Sequence, residues 1–330
     1  MQRKAVMKHS SKKVIAASAL TLGAVTAAGA ASYAATGKLV RIAMDRPFPK
    51  ACPRAKKRLS GTEIPPQVQE SRAVLAGKLE KRDLETVRIR AADGTWLSGH
   101  WYGAKKPKRA VVAMHGWRSS WSADFGILAD FWIAQGCSIL FAEQRGHSHS
   151  GGQYIGFGLL ERSDCLDWIS WVNTRARDLP IYLWGVSMGA STVLMASDLA
   201  LPDNVAGIIA DCGYTSPPAI WEHIARHNLH IPYGRLRASL ASRLCRQKIQ
   251  MDIDAYACPR ALKHCRIPVL LIHGAADHFV PVEMTYENYE ACAAPKKLFI
   301  VPGAGHGMSY VKDPTGYQNA VTAFWQDCES

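Results

Sequence analysis

Gly185-Val186-Ser187-Met188-Gly189 places a serine between two glycines, directly after the apolar run Ile181–Trp184 and ahead of a helical stretch through Ala196. On a sharp strand-to-helix turn a serine hydroxyl projects from the sheet edge. The flanking glycines let the backbones close around it, and the helix N-terminus favours negative charge developing beside it. A hydroxyl is a weak nucleophile at neutral pH, so a base must take its proton and a carboxylate must orient that base. Two later loops offer those groups. Asp277 lies in His273-Gly274-Ala275-Ala276-Asp277 after the run Val269–Ile272, and His306 lies in Gly303-Ala304-Gly305-His306-Gly307 after Leu298–Val301. Asp211, closing the run that starts at Val205, is the rival carboxylate. An oxyanion would need two backbone N–H donors. Met188, directly after the serine, supplies one, and the turn His115-Gly116-Trp117 supplies the other, with the Trp117 amide best placed. Together these residues suit nucleophilic displacement at an acyl carbon.

The elements that must position them alternate along the chain. Glu85–Arg90 and Trp96–Trp101, joined through Asp93-Gly94, read as an antiparallel hairpin. Short apolar runs then alternate with helical spacing, giving strands at Ala110–Met114, Cys137–Phe141, Ile181–Trp184, Val205–Ala210, Val269–Ile272 and Leu298–Val301. Buried strands separated by helices predict an α/β domain with a mostly parallel central sheet covered on both faces. The connection from Asp211 to Val269 is too long for one helix. It holds helical stretches at Ala219–His227 and Leu236–Ile249, and a helical cap over residues 214–264 is expected above the sheet's carboxyl edge, where ligands bind in open α/β sheets.

From Leu84 to Ser330 the chain resembles the α/β-hydrolase superfamily. The likeness rests on His115-Gly116-Trp117, Arg145-Gly146-His147-Ser148-x-Ser150-Gly151, the Gly185–Gly189 turn, His273-Gly274-x-x-Asp277 and Gly305-His306. It is similar in particular to bacterial hydrolases with an N-terminal membrane segment, of serine aminopeptidase-like or acyl-esterase-like type. The resemblance implies an α/β-hydrolase fold and hydrolysis of an ester, thioester or amide through an acyl-serine. It also implies the chain order serine, acid, histidine, with Ser187, Asp277 and His306 catalytic and Trp117 and Met188 forming the oxyanion hole. Many relatives carry Asp before Arg-Gly-His where this chain has Glu143-Gln144, a structural position in the family. Two rival readings remain: a serine peptidase acting on short peptides, and an inactive hydrolase fold serving as a membrane-tethered binding module.

Charge divides the chain. Residues 1–82 hold 17 Lys and Arg against four acids, whereas residues 83–330 hold 23 of each sign. A nucleic-acid footprint needs a basic face on the folded domain, so the domain's neutrality argues against a nucleic-acid partner. The uncharged run from Val14 to Gly37, preceded by five basic residues, is long enough to span a bilayer as a helix, and its small residues also permit signal-peptide cleavage. Residues 1–37 are therefore expected to be a signal peptide or anchor, leaving the protein membrane-associated or, after cleavage, secreted. Residues 38–83 are expected to be a basic linker facing anionic lipid, and residues 84–330 the complete catalytic unit. Nine cysteines without tight spacing do not form a disulfide framework or a metal knuckle. His223 and His227 lie four apart without a carboxylate at ligand spacing, and no phosphate loop occurs, so no metal or organic cofactor is implied.

Overall fold

The computed structural model describes residues 29–46 and 64–330. The start of the expected signal or anchor run (Val14 to Ala28) and part of the expected basic linker (residues 47–63) lie outside the described residues. Among the described residues no helix is long and apolar enough to cross a membrane.

Eight strands form one sheet in the order β1-β2-β4-β3-β5-β6-β7-β8. β1 (Glu85–Arg90) and β2 (Trp96–Tyr102) are antiparallel, β2 pairs antiparallel with β4 (Cys137–Glu143), and every pairing from there to β8 (Lys296–Val301) is parallel. The interior strands β3 (Arg109–Met114), β5 (Ile181–Val186) and β7 (Val269–Gly274) are buried at every position, because helices cover both faces. The outer strand β1 alternates instead, with Val87 inward and its neighbours in solvent. One face packs Trp132, Trp184, Trp325 and Phe141, with Trp132 and Trp184 edge-to-face at 4.7 Å. The other packs Trp168, Ile169 and Leu183. All eight described cysteines are free thiols.

In chain order the helices are α1 (29–44), α2 (Pro66–Glu80), α3 (Trp121–Ala134), α4 (Glu161–Arg175), α5 (Met188–Ala196), α6 (Pro217–His223), α7 (Arg235–Ile249), α8 (Cys258–Leu262), α9 (Val282–Ala291), α10 (Ser309–Lys312) and α11 (Pro314–Glu329). Helices α6 to α8 fill the connection between β6 (Val205–Asp211) and β7, as the cap reading expects. A single π turn, Ile224–Asn228, continues α6.

The packed body reaches back well past the expected start at Leu84. Helix α2 crosses α3 where a Cβ on Gly126 would lie 2.7 Å from the Ala76 nitrogen, so the two backbones touch with no side chain between them. Helix α1 lies on the domain with Thr36, Val40, Ile42 and Met44 buried, although residues 38–83 read as a linker. The reason is local: α1 turns apolar residues inward while Lys38 and Arg41 stay exposed, so the basic character of the stretch concealed an amphipathic helix.

Candidate active site

Ser187 sits at φ 57°, ψ −118° between β5 and α5, the strained turn its glycine neighbours predict. A Cβ on Gly185 would collide with the Gly189 backbone, and one on Gly189 would collide with the Met114 carbonyl, so both glycines are sterically required. The Ser187 amide donates to the Asp211 carbonyl at 2.8 Å, tying the turn to the end of β6.

The three expected partners come together at this edge. Ser187 Oγ lies 2.9 Å from His306 Nε2, and His306 Nδ1 lies 2.7 Å from Asp277 Oδ2. A carboxylate can only accept, so Nδ1 carries the proton and Nε2 is free to accept from the serine. Asp277 Oδ1 accepts the Phe279 and Val280 amides, each at 2.9 Å. Burial alone would raise the Asp277 pKa, but the adjacent His306 and the hydrogen bonds of His273 and His306 hold it below the usual carboxylate range. Burial alone would lower the His306 pKa; the Asp277 carboxylate outweighs that and raises it above 6.5.

Asp211 is engaged elsewhere. It accepts from Tyr317 Oη at 3.1 Å and Ser309 Oγ at 3.3 Å, and burial pushes its pKa up to about 6. Sequence reasoning assigned no role to His273. Its Nε2 faces two acceptors, Asp277 Oδ2 at 3.1 Å and the Val280 carbonyl at 2.9 Å, so it carries a proton; Nδ1 lies 2.6 Å from Thr285 Oγ1. His273 thus fixes the carboxylate from behind. The signal available was its place in the His273-Gly274-x-x-Asp277 pattern.

The turn after β3 carries the second expected oxyanion donor. The Gly116 amide is committed to Asp124 Oδ2 at 2.7 Å, the Arg118 amide to His147 Nε2 at 3.0 Å and the Ser119 amide to the Gly116 carbonyl at 3.3 Å, so Trp117 is the candidate amide on this turn. Burial lowers the His147 pKa to about 3, keeping the ring neutral and Nε2 able to accept. This gives Arg145-Gly146-His147 a physical role: it braces the turn after β3. Gln144 does the same, its side-chain amide reaching the His115 carbonyl and its backbone N–H donating to His115 Nε2 at 3.1 Å. Met188, the other candidate donor, is buried at the start of α5.

Ser187 opens into an apolar pocket walled by Trp117, Phe157 and Phe279 from the core, Trp221 and Ile224 from the cap, and part of α1. Among the described residues one group of three possible metal ligands occurs, Cys212, Asp277 and His306, with ligand atoms within 4.8 Å of one another. Asp277 and His306 are already committed within the relay, and burial raises the Cys212 pKa well above that of a free thiol, disfavouring the thiolate a metal needs. The His223 and His227 rings stack at 4.7 Å in the cap.

A family model described as serine aminopeptidase, S33, matches residues 105–256. The Bacillus subtilis protein YqkD is 29% identical over 57% of this chain, which spans 62% of that relative's length; YfhR of Salmonella typhimurium is 26% identical over 68% of this chain and 75% of its own. Among solved structures, the Pyrococcus furiosus esterase Pf2001 superposes with a TM-score of 0.62 at 21% identity, over 76% of this chain and 93% of that one. With its strand order, its mixed eight-stranded sheet and that structural likeness, the chain has the α/β-hydrolase fold, and over residues 105–256 it is similar to the serine aminopeptidase family.

Proposed function

We propose that the chain is a serine hydrolase that cleaves carboxylic esters through an acyl-serine. The observation that supports it most is the relay from Asp277 through His306 to Ser187, 2.7 and 2.9 Å long, at the mouth of an apolar pocket. Ser187 Oγ attacks the ester carbonyl as His306 Nε2 takes its proton, and the carbonyl oxygen becomes an oxyanion facing the Trp117 and Met188 amides. The tetrahedral species collapses, the C–O bond to the alcohol breaks, and His306 returns the proton to the departing oxygen. Water, deprotonated by the same histidine, then attacks the acyl carbon and releases acid and free serine.

An ester fits this pocket better than a peptide with a free amino end. Binding an ammonium calls for a carboxylate, and among the described residues the pocket's only charged lining group is Arg237, a cation. The P. furiosus neighbour is itself an esterase by name. For the membrane, the exposed Lys38 and Arg41 and the basic residues around them favour an anionic lipid surface, each worth about 1 kcal/mol near it. Salt-sensitive binding of the full chain to anionic vesicles tests that part.

The chemistry is tested with a fluorophosphonate probe and p-nitrophenyl esters beside aminoacyl anilides. The wild type should label and should prefer esters. Ser187→Ala should lose labelling and on the order of a millionfold in turnover. Activity of Ser187→Ala within tenfold of wild type would defeat the assignment, and faster anilide than ester turnover would favour the peptidase reading.

A further inference from the structure

Helix α1 precedes the hydrolase fold in the chain, yet Thr36, Leu39, Val40 and Ala43 line the same pocket as Ser187. Their spacing of three, four and seven residues puts them on one helix face. The end of α1 is fastened to the domain by three of the four carbonyls that a helix terminus leaves without an internal partner, those of Ile42, Ala43 and Met44. The Arg41 carbonyl accepts from the Asp45 amide at 2.9 Å and that of Met44 from the Ile155 amide at 2.7 Å. Trp117 Nε1 donates to the Ala43 carbonyl at 2.8 Å, and Arg118 Nη2 donates to the Ile42 carbonyl at 2.7 Å. Beyond the helix, Arg46 donates to the Ser148 and Ser150 carbonyls, each at 2.6 Å, and Asp45 pairs with Lys248 of the cap at 2.6 Å. Two of these donors, Trp117 and Arg118, belong to the candidate oxyanion turn itself.

We infer that α1 is a wall of the substrate site: its Thr36, Leu39, Val40 and Ala43 face receives the hydrocarbon chain of the ester's acyl group, and residues ahead of the hydrolase fold set which chain lengths are accepted. The inference rests on the acyl-serine reading for the identity of the substrate. The occupant is apolar, because the pocket's other lining residues include Trp221, Ile224 and Ala225 from the cap and Phe157 and Phe279 from the body of the domain.

The test uses the full chain with Ala43→Phe, which fills the pocket, Leu39→Ala, which enlarges it, and Lys38→Ala on the exposed side of the same helix. Rates are measured on p-nitrophenyl esters from acetate to palmitate. The ratio of kcat/KM on octanoate to that on acetate should fall about tenfold or more in Ala43→Phe. The preferred length should move longer in Leu39→Ala, and Lys38→Ala should keep the wild-type profile. An unchanged profile in both pocket variants overturns the proposal. A binding experiment separates this from failure of the chemistry: cis-parinaric acid, a fluorescent fatty acid, is titrated into Ser187→Ala with and without Ala43→Phe. Binding weakened at least tenfold by the second substitution supports the wall even if no ester is turned over, whereas equal binding, or none by the parent, overturns it. Loss of fluorophosphonate labelling in the wild type counts against the acyl-serine reading alone.

Discussion

The loops at the carboxyl edge of the sheet and the stretch before Leu84 both shape the pocket, but they do so by different means. The edge loops act through local necessity. Ser187 needs glycines two residues either side because Gly189 touches the Met114 carbonyl, and Asp277 needs the amides two and three residues beyond it. The N-terminal stretch acts through partners far along the chain, from Trp117 on Ala43, 74 residues away, to Lys248 on Asp45, 203 residues away. A requirement met by neighbours leaves a pattern in the chain; one met by distant carbonyls leaves none.

The contrast can be broken first at the carboxylate. Asp277→Asn should lower kcat/KM on a short ester roughly a thousandfold or more, because it removes the charge that orients and stabilises protonated His306. Asp211→Asn should be far milder, since Asp211 is held by Tyr317 and Ser309. The reverse ranking in steady-state rates would show that local pattern misidentifies the acid.

On the N-terminal side, Gly126→Val should push α2 from α3. Overpacking of this kind costs about 2 kcal/mol, and Tm should fall by roughly 4–8 °C in a thermal melt. A melt within one degree of wild type would mean that α2 contributes little to the body.

The finest test is pH. His306 must be neutral to act as base, and Asp277 raises its pKa above 6.5. The kcat/KM of the wild type should therefore rise with pH through a midpoint above 6.5. In Asp277→Asn the midpoint should move to lower pH, because the carboxylate that favours the imidazolium is gone. A midpoint that does not respond to Asp277→Asn would detach His306 from that carboxylate.

Much of the fold was legible because the strands that carry the site are short apolar runs with glycine at their ends. All eight strands fall where such runs predict them, β5 and β7 within a residue or two of their bounds. What was not legible lacks an apolar face. Helix α9 buries Thr285 and Asn288, polar residues that hydrogen-bond inward, Thr285 to His273, so no hydrophobic stripe marks it. Helix α2 buries only Leu79, because its closest contact is backbone against Gly126. The relay of Ser187, His306 and Asp277 could be read from chain order and strand ends, whereas the bracing roles of His147 and Gln144 depend on which carbonyls and amides the fold brings beside them. Helix α1 shows the same limit: its stripe of Thr36, Leu39, Val40 and Ala43 is plain once its partner surface is known, and is masked in the chain by Lys38 and Arg41.

The Asp45–Lys248 pair also has a consequence in time. Its two halves are 203 residues apart, and the Arg46–Ser150 contact spans 104. At 5–20 residues per second, about 10 to 40 seconds of synthesis separate the appearance of Asp45 from that of Lys248. Helix α1 is therefore made first, finds Trp117, Arg118 and Ile155 partway through that interval, and gains its contact with Lys248 of the cap last. The pocket beside Ser187 takes its cap wall only when Trp221 and Ile224 arrive, so this part of the molecule is among the last to take its final form.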